Sequence, residues 1–226
     1  MVRAHGPAAF TTLRVAMVPA VETTAGTIAT RRVVNAAGPW ARTIGEMAGV
    51  PIPIEPLRRH IFVADPPSSA GWERGGVRTA PRSRIMVIDF ETTFYFHREG
   101  EGVLFGMGDP DEPFGFDQDV NWDVLEKVAP VAQRRLPVLA DAPISHAWAG
   151  LYEMTPDAMP ILGGVTGMDG FYVISGFSGH GFQHAPAAGR VVADLIAGRD
   201  PGMDLSPFAY ERFARTGALM GEANVV

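Results

Sequence analysis

The segment most informative about the fold is Phe171-Tyr172-Val173-Ile174-Ser175-Gly176-Phe177-Ser178-Gly179-His180-Gly181-Phe182-Gln183-His184. A short apolar strand runs here into a turn with three glycines in six residues, and a helix is predicted to follow over Ala187–Ala197, closed by Gly198. Such a turn presents unpaired N–H groups, and the helix start adds the positive end of a dipole. The pattern therefore predicts a backbone cradle that suits an anionic ligand.

The spacing of these glycines fits neither common phosphate motif. No Gly-Lys-Ser/Thr follows, as a P-loop requires, and G-x-G-x-x-G is not present at the turn. A tight turn with two incidental histidines is the alternative interpretation. His180 and His184 are four residues apart, which would suit a metal on a helix, but Pro186 and the glycines argue against a continuous helix there. We therefore predict no metal site.

A second motif lies near the start of the chain, at Val33-Val34-Asn35-Ala36-Ala37-Gly38-Pro39-Trp40. It reads as a short buried strand that ends in small residues and then opens a helix reaching about Ala48. Small residues let a ligand or another backbone segment approach closely. An ordinary strand–turn–helix corner is the alternative.

The composition excludes several classes of protein. The 226 residues carry a formal net charge of -6, 46% are apolar, and there is no cysteine. A disordered chain would be less apolar, a nucleic-acid binder would show a basic surplus, and a disulfide scaffold or Cys-zinc site needs cysteine. No transmembrane stretch or signal-peptide core is visible, so we expect no membrane span and a cytoplasmic location. The acidic charge balance predicts no nucleic-acid partner.

The remaining periodicity predicts an α/β (α+β) fold with a mostly antiparallel sheet, flanking helices and short parallel-type elements at both ends. The expected elements are a hairpin over 21–36, strands over 58–64, 85–89, 92–98, 102–107, 146–153 and 171–175, a helix from 121 or 123 to about 136, and a short helix within 207–214. Residues 1–20 have no clear period, and 65–83 form a loop.

The two motifs, together with Thr155-Pro156-Asp157 and Pro160-Ile161, resemble the D-amino-acid-oxidase-type family of FAD-dependent oxidoreductases. The sarcosine and dimethylglycine dehydrogenase branch is the most similar. The resemblance implies three segments: a partial FAD-binding domain over 1–50, an antiparallel substrate-binding domain over 51–148, and a C-terminal FAD-binding segment over 149–226 with the glycine turn and its helix.

The resemblance also implies the site residues. Tyr152, His180 and Gln183 would be catalytic and lie near the reacting ring, and His97 and Arg98 would bind substrate. The residues implied to bind FAD are Asn35, Ala36, Ala37, Gly38, Trp40, Gly150, Gly176, Phe177, Ser178, Gly179, Gly181 and Phe182.

The chain departs from this family in one large respect, because it has no G-x-G-x-x-G near its N-terminus. We expect it to be a fragment, a truncated gene product, or one of two chains that together bind FAD, with a partner chain supplying the nucleotide-binding half. We also expect self-association, because the apolar surface built for that half would be exposed. The absence of cysteine, with Gly150 at the place where some relatives attach flavin, implies non-covalent FAD as far as this chain goes.

The implied function is oxidation of a C–N bond in a small amine or N-methyl amino acid, with a hydride equivalent passing to flavin N5. A dehydrogenase is favoured over an oxidase, since Lys127 is the only lysine and lies in a predicted helix. The alternative is a non-catalytic or regulatory derivative that acts as a binding subunit. A third interpretation is an unrelated α/β binding domain.

Overall fold

The computed structural model describes residues 20–65, 73–74, 77–78 and 85–214. Contacts divide the chain into two compact units. Among the described residues, the first unit consists of 20–56 and 152–214, and the second consists of those within 57–151. Residues 1–19 and most of the predicted 65–83 loop lie outside the described residues. The three-segment division at 50 and 148 stays a prediction.

The first unit contains a hairpin, a three-stranded sheet and two helices. Its elements are β1 (Ala20–Thr23), β2 (Gly26–Ala29), β3 (Val33–Asn35), α1 (Ala41–Met47), β11 (Ile161–Val165), β12 (Met168–Ser175) and α3 (Gly181–Ile196). The sheet order is β11-β12-β3. β11 and β12 are antiparallel, whereas β3 pairs with β12 in parallel, with Val173 opposite Asn35. The carboxyl ends of β3 and β12 therefore lie at the same edge.

Two apolar clusters stabilise this unit, one on each side of the sheet strands. Phe171 and Val173 of β12 are fully buried and pack with Ile161, Ile52 and Ile54. The alternate residues on β11 and β12 face α3, where Leu162 packs with Ala188 and Val192. This alternation is the period-two pattern of a strand covered on both faces.

The second unit is built on a five-stranded sheet of order β10-β4-β9-β8-β7. The strands are β4 (Glu55–Ala64), β7 (Val87–Asp89), β8 (Phe94–Glu99), β9 (Gly102–Gly106) and β10 (Ile144–Met154), and a separate pair is formed by β5 (Glu73–Arg74) and β6 (Val77–Arg78). Helix α2 (Asp123–Arg135) places Val124, Val128 and Ala132 against Phe62, Phe94 and Phe105. The mixed α/β fold with mainly antiparallel pairing is confirmed.

Two predicted helices need correction, and some strands were missed, including the short pair β5–β6 within the predicted 65–83 loop. α3 begins at Gly181, six residues earlier than predicted, and includes Pro186. β11 was not predicted at all, because Gly163 and Gly164 hide its strand pattern. The helix expected within 207–214 is two 3-10 turns, Ser206–Phe208 and Tyr210–Ala214. None of the helices in the described ranges is long and apolar enough to cross a membrane.

Candidate functional site

The glycine turn, residues Gly176–His180, connects β12 to α3. Gly176 has φ +84° and Gly179 has φ +101°, which side chains rarely adopt. A Cβ on Gly179 would lie 2.5 Å from Cε2 of Tyr152, and a Cβ on Gly176 would overlap Cγ2 of Thr155. The turn therefore packs directly on the end of β10 and on Thr155 just after it, and leaves no room for larger side chains.

Ser178 is the one residue of this turn that adopts the left-handed conformation without being glycine, with φ 51°. It is fully buried, and its Oγ lies 3.4 Å from Thr155 N, from which it accepts, and 3.5 Å from the carbonyl oxygen of Glu153. Its N–H donates to the same carbonyl at 3.3 Å. These bonds tie the turn to the end of β10 and offset the backbone strain at Ser178.

Glu153 adds a second contact to the turn, which the sequence alone does not predict. Its Oε1 accepts a hydrogen bond from the N–H of Phe177 at 3.3 Å. Burial raises the pKa of the Glu153 carboxyl above its ordinary value, although hydrogen bonds from its own N–H and from Phe177 act in the opposite direction. A Glu within the stretch Leu151–Met154 was visible in the sequence, but only the fold places its carboxyl under the glycine turn.

The first turns of α3 are open to solvent. Phe182 is 94% exposed, and Gln183 and His184 are exposed as well. The expectation that Pro186 prevents a continuous helix here is wrong. Pro186 lies in the exposed stretch, so the carbonyl group that loses its intrahelical partner can bond to water.

His180 and His184 stack on successive turns, with ring centroids 5.9 Å apart. They line one side of a cavity of about 440 Å³ together with Phe177, and the rest of its lining is apolar: Ala158, Met159, Pro160, Leu162, Ala187, Ala188, Val191, Met203 and Phe208. Among the described residues, no group of three His, Cys, Asp or Glu side chains is arranged to hold a metal ion.

The Thr155-Pro156-Asp157 segment is fixed by a buried ion pair. Arg212 donates from Nε to Oδ2 of Asp157 at 2.7 Å and from Nη2 to Oδ1 at 3.0 Å, and also to the carbonyl of Met159. Burial acts to raise the pKa of Asp157, but the Arg212 hydrogen bonds and charge lower it overall. A planar guanidinium suits this bidentate arrangement, so the pair holds the segment in a defined shape beside the glycine turn.

The asparagine turn, residues Asn35–Trp40, connects β3 to α1 and is fixed by its own first side chain. Asn35 is 2% exposed, its Nδ2 donates to the carbonyl of Ala41 at 2.9 Å, and its Oδ1 accepts from the N–H of Ala37 at 3.3 Å. Gly38 has φ +55°, and a Cβ there would meet nothing within 4 Å. Ser175 Oγ donates to the Gly38 carbonyl at 3.3 Å, so this turn lies beside the end of β12.

The structure thus brings together most of the predicted site residues in the first unit. The asparagine turn, Tyr152 and the glycine turn lie around the shared edge of β3 and β12. His180, the first helical residue Gly181, Phe182 and Gln183 follow at the start of α3.

The two predicted substrate residues belong to the second unit and do not lie together. His97 and Arg98 are neighbours on β8, so their side chains point to opposite faces of the sheet. Arg98 donates to the carbonyl of Gly100 and to Glu101, as a solvated strand end does. His97 lies on the same face as Tyr95, opposite the face on which Phe94 and Phe96 pack with α2.

Gly150, which is predicted to bind FAD, lies on β10, and a Cβ there would meet nothing within 4 Å.

Comparison with known proteins supplies the family. Residues 2–195 match the family model described as DAO, FAD dependent oxidoreductase. The chain is 36% identical over 199 residues to FAD-dependent oxidoreductase domain-containing protein 1 of Bos taurus, covering 80% of this chain and 39% of that protein. It is 28% identical over 211 residues to mitochondrial dimethylglycine dehydrogenase of Mus musculus, covering 86% of this chain and 23% of that protein.

Solved structures agree with the fold. The L-proline dehydrogenase from P. horikoshii superposes with a TM-score of 0.76 at 32% identity, covering 91% of this chain and 53% of that one. Glycine oxidase from Geobacillus kaustophilus gives 0.71 at 26% identity, covering 88% and 49%. The chain therefore spans less than half of the curated relatives named above and about half of these solved structures.

Proposed function

Since this chain belongs to the DAO family of FAD-dependent oxidoreductases, we propose that it forms the later part of an FAD enzyme that oxidises a C–N bond in a small amine or N-methyl amino acid. The observation that supports this most is the parallel pairing of β3 with β12, which brings the asparagine turn and the glycine turn to one sheet edge. Ligands of α/β folds bind at the carboxyl ends of parallel strands. Similarity to proteins named dimethylglycine dehydrogenase and sarcosine dehydrogenase supports the substrate class.

The backbone at this edge fits a large, partly anionic cofactor. Gly38 has open space on the side where a Cβ would stand, and the first turn of α3 contains no acidic residue. The residues that would hold FAD are the asparagine turn, Gly150, the glycine turn and the first residues of α3. Bound FAD would supply the two-electron acceptor that protein side chains lack.

The chain's own residues would position and polarise this site. The N-terminus of α3 favours negative charge nearby by about 0.3–2 kcal/mol. Tyr152, under Gly179, would define the floor of the pocket next to the reacting ring, and His180 and Gln183 at the helix start would contact ring or substrate. On the sheet of the second unit, His97 and Arg98 stay predictions as substrate-binding residues.

The enzyme is proposed to be a dehydrogenase and not an oxidase. Oxygen activation by flavoenzymes is helped by a nearby cation, and Lys127 is the only lysine of the sequence. Its Nζ is bound by Asp109 at 2.8 Å and by Asp111 at 3.0 Å, which raises the pKa of Lys127 but commits its charge to that pair. An artificial electron acceptor should therefore support turnover much faster than oxygen, and comparable rates would contradict the assignment.

The pyrophosphate of FAD needs a further set of donors. We propose that a nucleotide-binding half with a G-x-G-x-x-G turn, such as a partner chain would supply, completes the site, because the 226 residues contain no such turn. The absence of cysteine supports non-covalent binding on this side of the cofactor. A cytoplasmic location stays a prediction.

The ultraviolet–visible spectrum of the purified chain, alone, after adding FAD, and after co-expression with a G-x-G-x-x-G protein, tests the proposal. We expect little or no binding alone and a protein-bound flavin spectrum in the complete assembly. Acid precipitation should release the colour into the supernatant. An assembly that never binds flavin would favour the alternative, a non-catalytic binding subunit.

A further inference from the structure

The aspartate turn, residues Thr155–Met159, is held by one guanidinium group from a distant part of the chain. Arg212 donates from Nε and Nη2 to the two carboxylate oxygens of Asp157, and from Nη2 to the carbonyl of Met159 at 2.7 Å. Only 8% of the Arg212 side chain and 1% of the Asp157 side chain are exposed. The pair is therefore shielded from water, and its three bonds fix both the side chain and the backbone of the turn.

The backbone of the aspartate turn is strained at Ala158. Its φ of 57° lies in the left-handed region, which residues other than glycine rarely adopt. Local bonds close the turn, because the N–H of Ala158 donates to the carbonyl of Thr155 at 3.1 Å and Oγ1 of Thr155 donates to the carbonyl of Met159 at 2.8 Å. A strained conformation persists where further contacts hold it, so we expect the turn to depend on the bonds from Arg212 as well.

The aspartate turn contacts the glycine turn through Thr155. The N–H of Thr155 donates to Oγ of Ser178 at 3.4 Å, and its Cγ2 occupies the space that a Cβ on Gly176 would need. Ser178 is fully buried, which leaves its side chain no open space into which to follow a displaced Thr155. A shift of the aspartate turn should therefore be felt at Gly176 and Ser178.

We propose that Arg212 is a positioning residue for the glycine turn, because by fixing the aspartate turn it holds Thr155 against Gly176 and Ser178. Within the described part of the chain, Arg212 forms hydrogen bonds with Asp157, Met159 and Ala209, so it acts on the glycine turn through the aspartate turn. The consequence for FAD rests on the proposed function, in which the glycine turn contacts the flavin ring.

Three variants separate the roles of geometry and charge. Arg212→Lys keeps the charge but replaces the planar fork by a single ammonium group, which cannot reproduce all three bonds. Arg212→Met removes the charge and leaves Asp157 buried without it, whereas the double variant Asp157→Asn/Arg212→Met removes both charges. Arg199→Met is the matched control, because Arg199 forms an ion pair with Asp194 at 2.6 Å near the other end of α3 in the same unit.

The experiment is NMR on the full chain, with amide chemical shifts and hydrogen exchange read at Phe177 and Ser178. A residue that contributed only general stability would leave these shifts unchanged in the folded chain. In Arg212→Met and in the double variant we expect displaced shifts and a loss of protection at Ser178 of about tenfold or more, as for the loss of charge-assisted hydrogen bonds. Arg212→Lys should lie between these variants and the parent, and Arg199→Met should match the parent.

Parent-like shifts and exchange at Phe177 and Ser178 in a folded Arg212→Met chain would overturn the proposal. Where this variant fails to fold, the double variant and Arg212→Lys decide, and parent-like signals from the glycine turn in both would overturn it equally.

A flavin titration of the completed assembly distinguishes this proposal from the proposed function. If FAD binds, its Kd should rise about tenfold or more in Arg212→Met and keep the parent value in Arg199→Met. An unchanged Kd in Arg212→Met would count against the role of Arg212 toward flavin. If FAD does not bind to the parent assembly, the proposed function fails, while the NMR result still decides the role of Arg212 in the glycine turn.

Discussion

The glycine turn and the asparagine turn occupy equivalent places but are fixed in opposite ways. Each follows one of two paired parallel strands and opens a helix. The glycine turn takes its shape from residues more than twenty positions away, through the Glu153 and Ser178 hydrogen bonds and the ring of Tyr152. The asparagine turn is held mainly by its own first residue, Asn35, with open space at Gly38. A turn fixed from outside should therefore tolerate substitution less well.

The largest expected effect comes from Gly179→Ala, compared with Gly38→Ala. Both place an alanine at positive φ, which costs about 1–2 kcal/mol, but only the first also drives a Cβ into Tyr152, at a further cost of about 1–3 kcal/mol. Urea unfolding of the two variants measures the difference. Equal losses of unfolding free energy would remove the distinction between the two turns.

A double variant sharpens this test. The double variant Tyr152→Ala/Gly179→Ala should lose less unfolding free energy than the sum of the two single variants, because Tyr152→Ala removes the ring that the new Cβ meets. Additive losses in the double-mutant cycle would show that the Tyr152 contact does not limit the turn.

The asparagine turn should lose most from Asn35→Ala, which we expect to cost about 2–3 kcal/mol because the buried carbonyl of Ala41 and N–H of Ala37 lose their partner. Asn35→Asp is the informative companion, since its carboxylate can still accept from Ala37 but cannot donate to Ala41. It should be less stable than the parent at neutral pH, as judged by thermal unfolding. Parent-like stability would mean that the Ala41 bond contributes little.

Ser178 offers a smaller effect with two opposing contributions. Ser178→Ala removes the long Oγ bonds and keeps the positive φ, so it should cost about 1 kcal/mol. Ser178→Gly removes the same bonds but also relieves the backbone strain, so it should be closer to the parent in stability. Chemical denaturation measures the two free energies of unfolding. If Ser178→Gly is the less stable variant, contacts of the Cβ atom outweigh the relief of backbone strain.

The smallest effect is the pH dependence contributed by Glu153. Its pKa is raised in the folded chain, so the folded state binds the proton more tightly than the unfolded state. Stability should therefore fall as pH rises from the ordinary carboxyl pKa through the raised value, with a slope that is a fraction of about 1.4 kcal/mol per pH unit. Urea titrations of the parent and Glu153→Gln at several pH values measure it, and parallel curves would exclude the contribution.

Local patterns in the sequence were enough to predict much of this protein. Apolar periodicity indicated β12, the five strands of the second unit's main sheet and α2, and the motif order indicated the family, its FAD dependence and the α/β class. These features could be predicted because each is carried by neighbouring residues with a period of two or 3.6. The start of α3 was placed too late because Pro186 was given more weight than the solvent exposure that makes it tolerable.

Which distant residues share a site follows from strand pairing in the folded chain and not from local sequence. Parallel pairing of β3 with β12 brought Asn35 and the glycine turn to one edge, although more than 130 positions separate Asn35 from Gly176. The fold also placed the carboxyl of Glu153 beneath the N–H of Phe177. No local pattern encodes these relations, because they follow from which strands pair, in what register, and from what burial does to a carboxyl group placed under a tight turn.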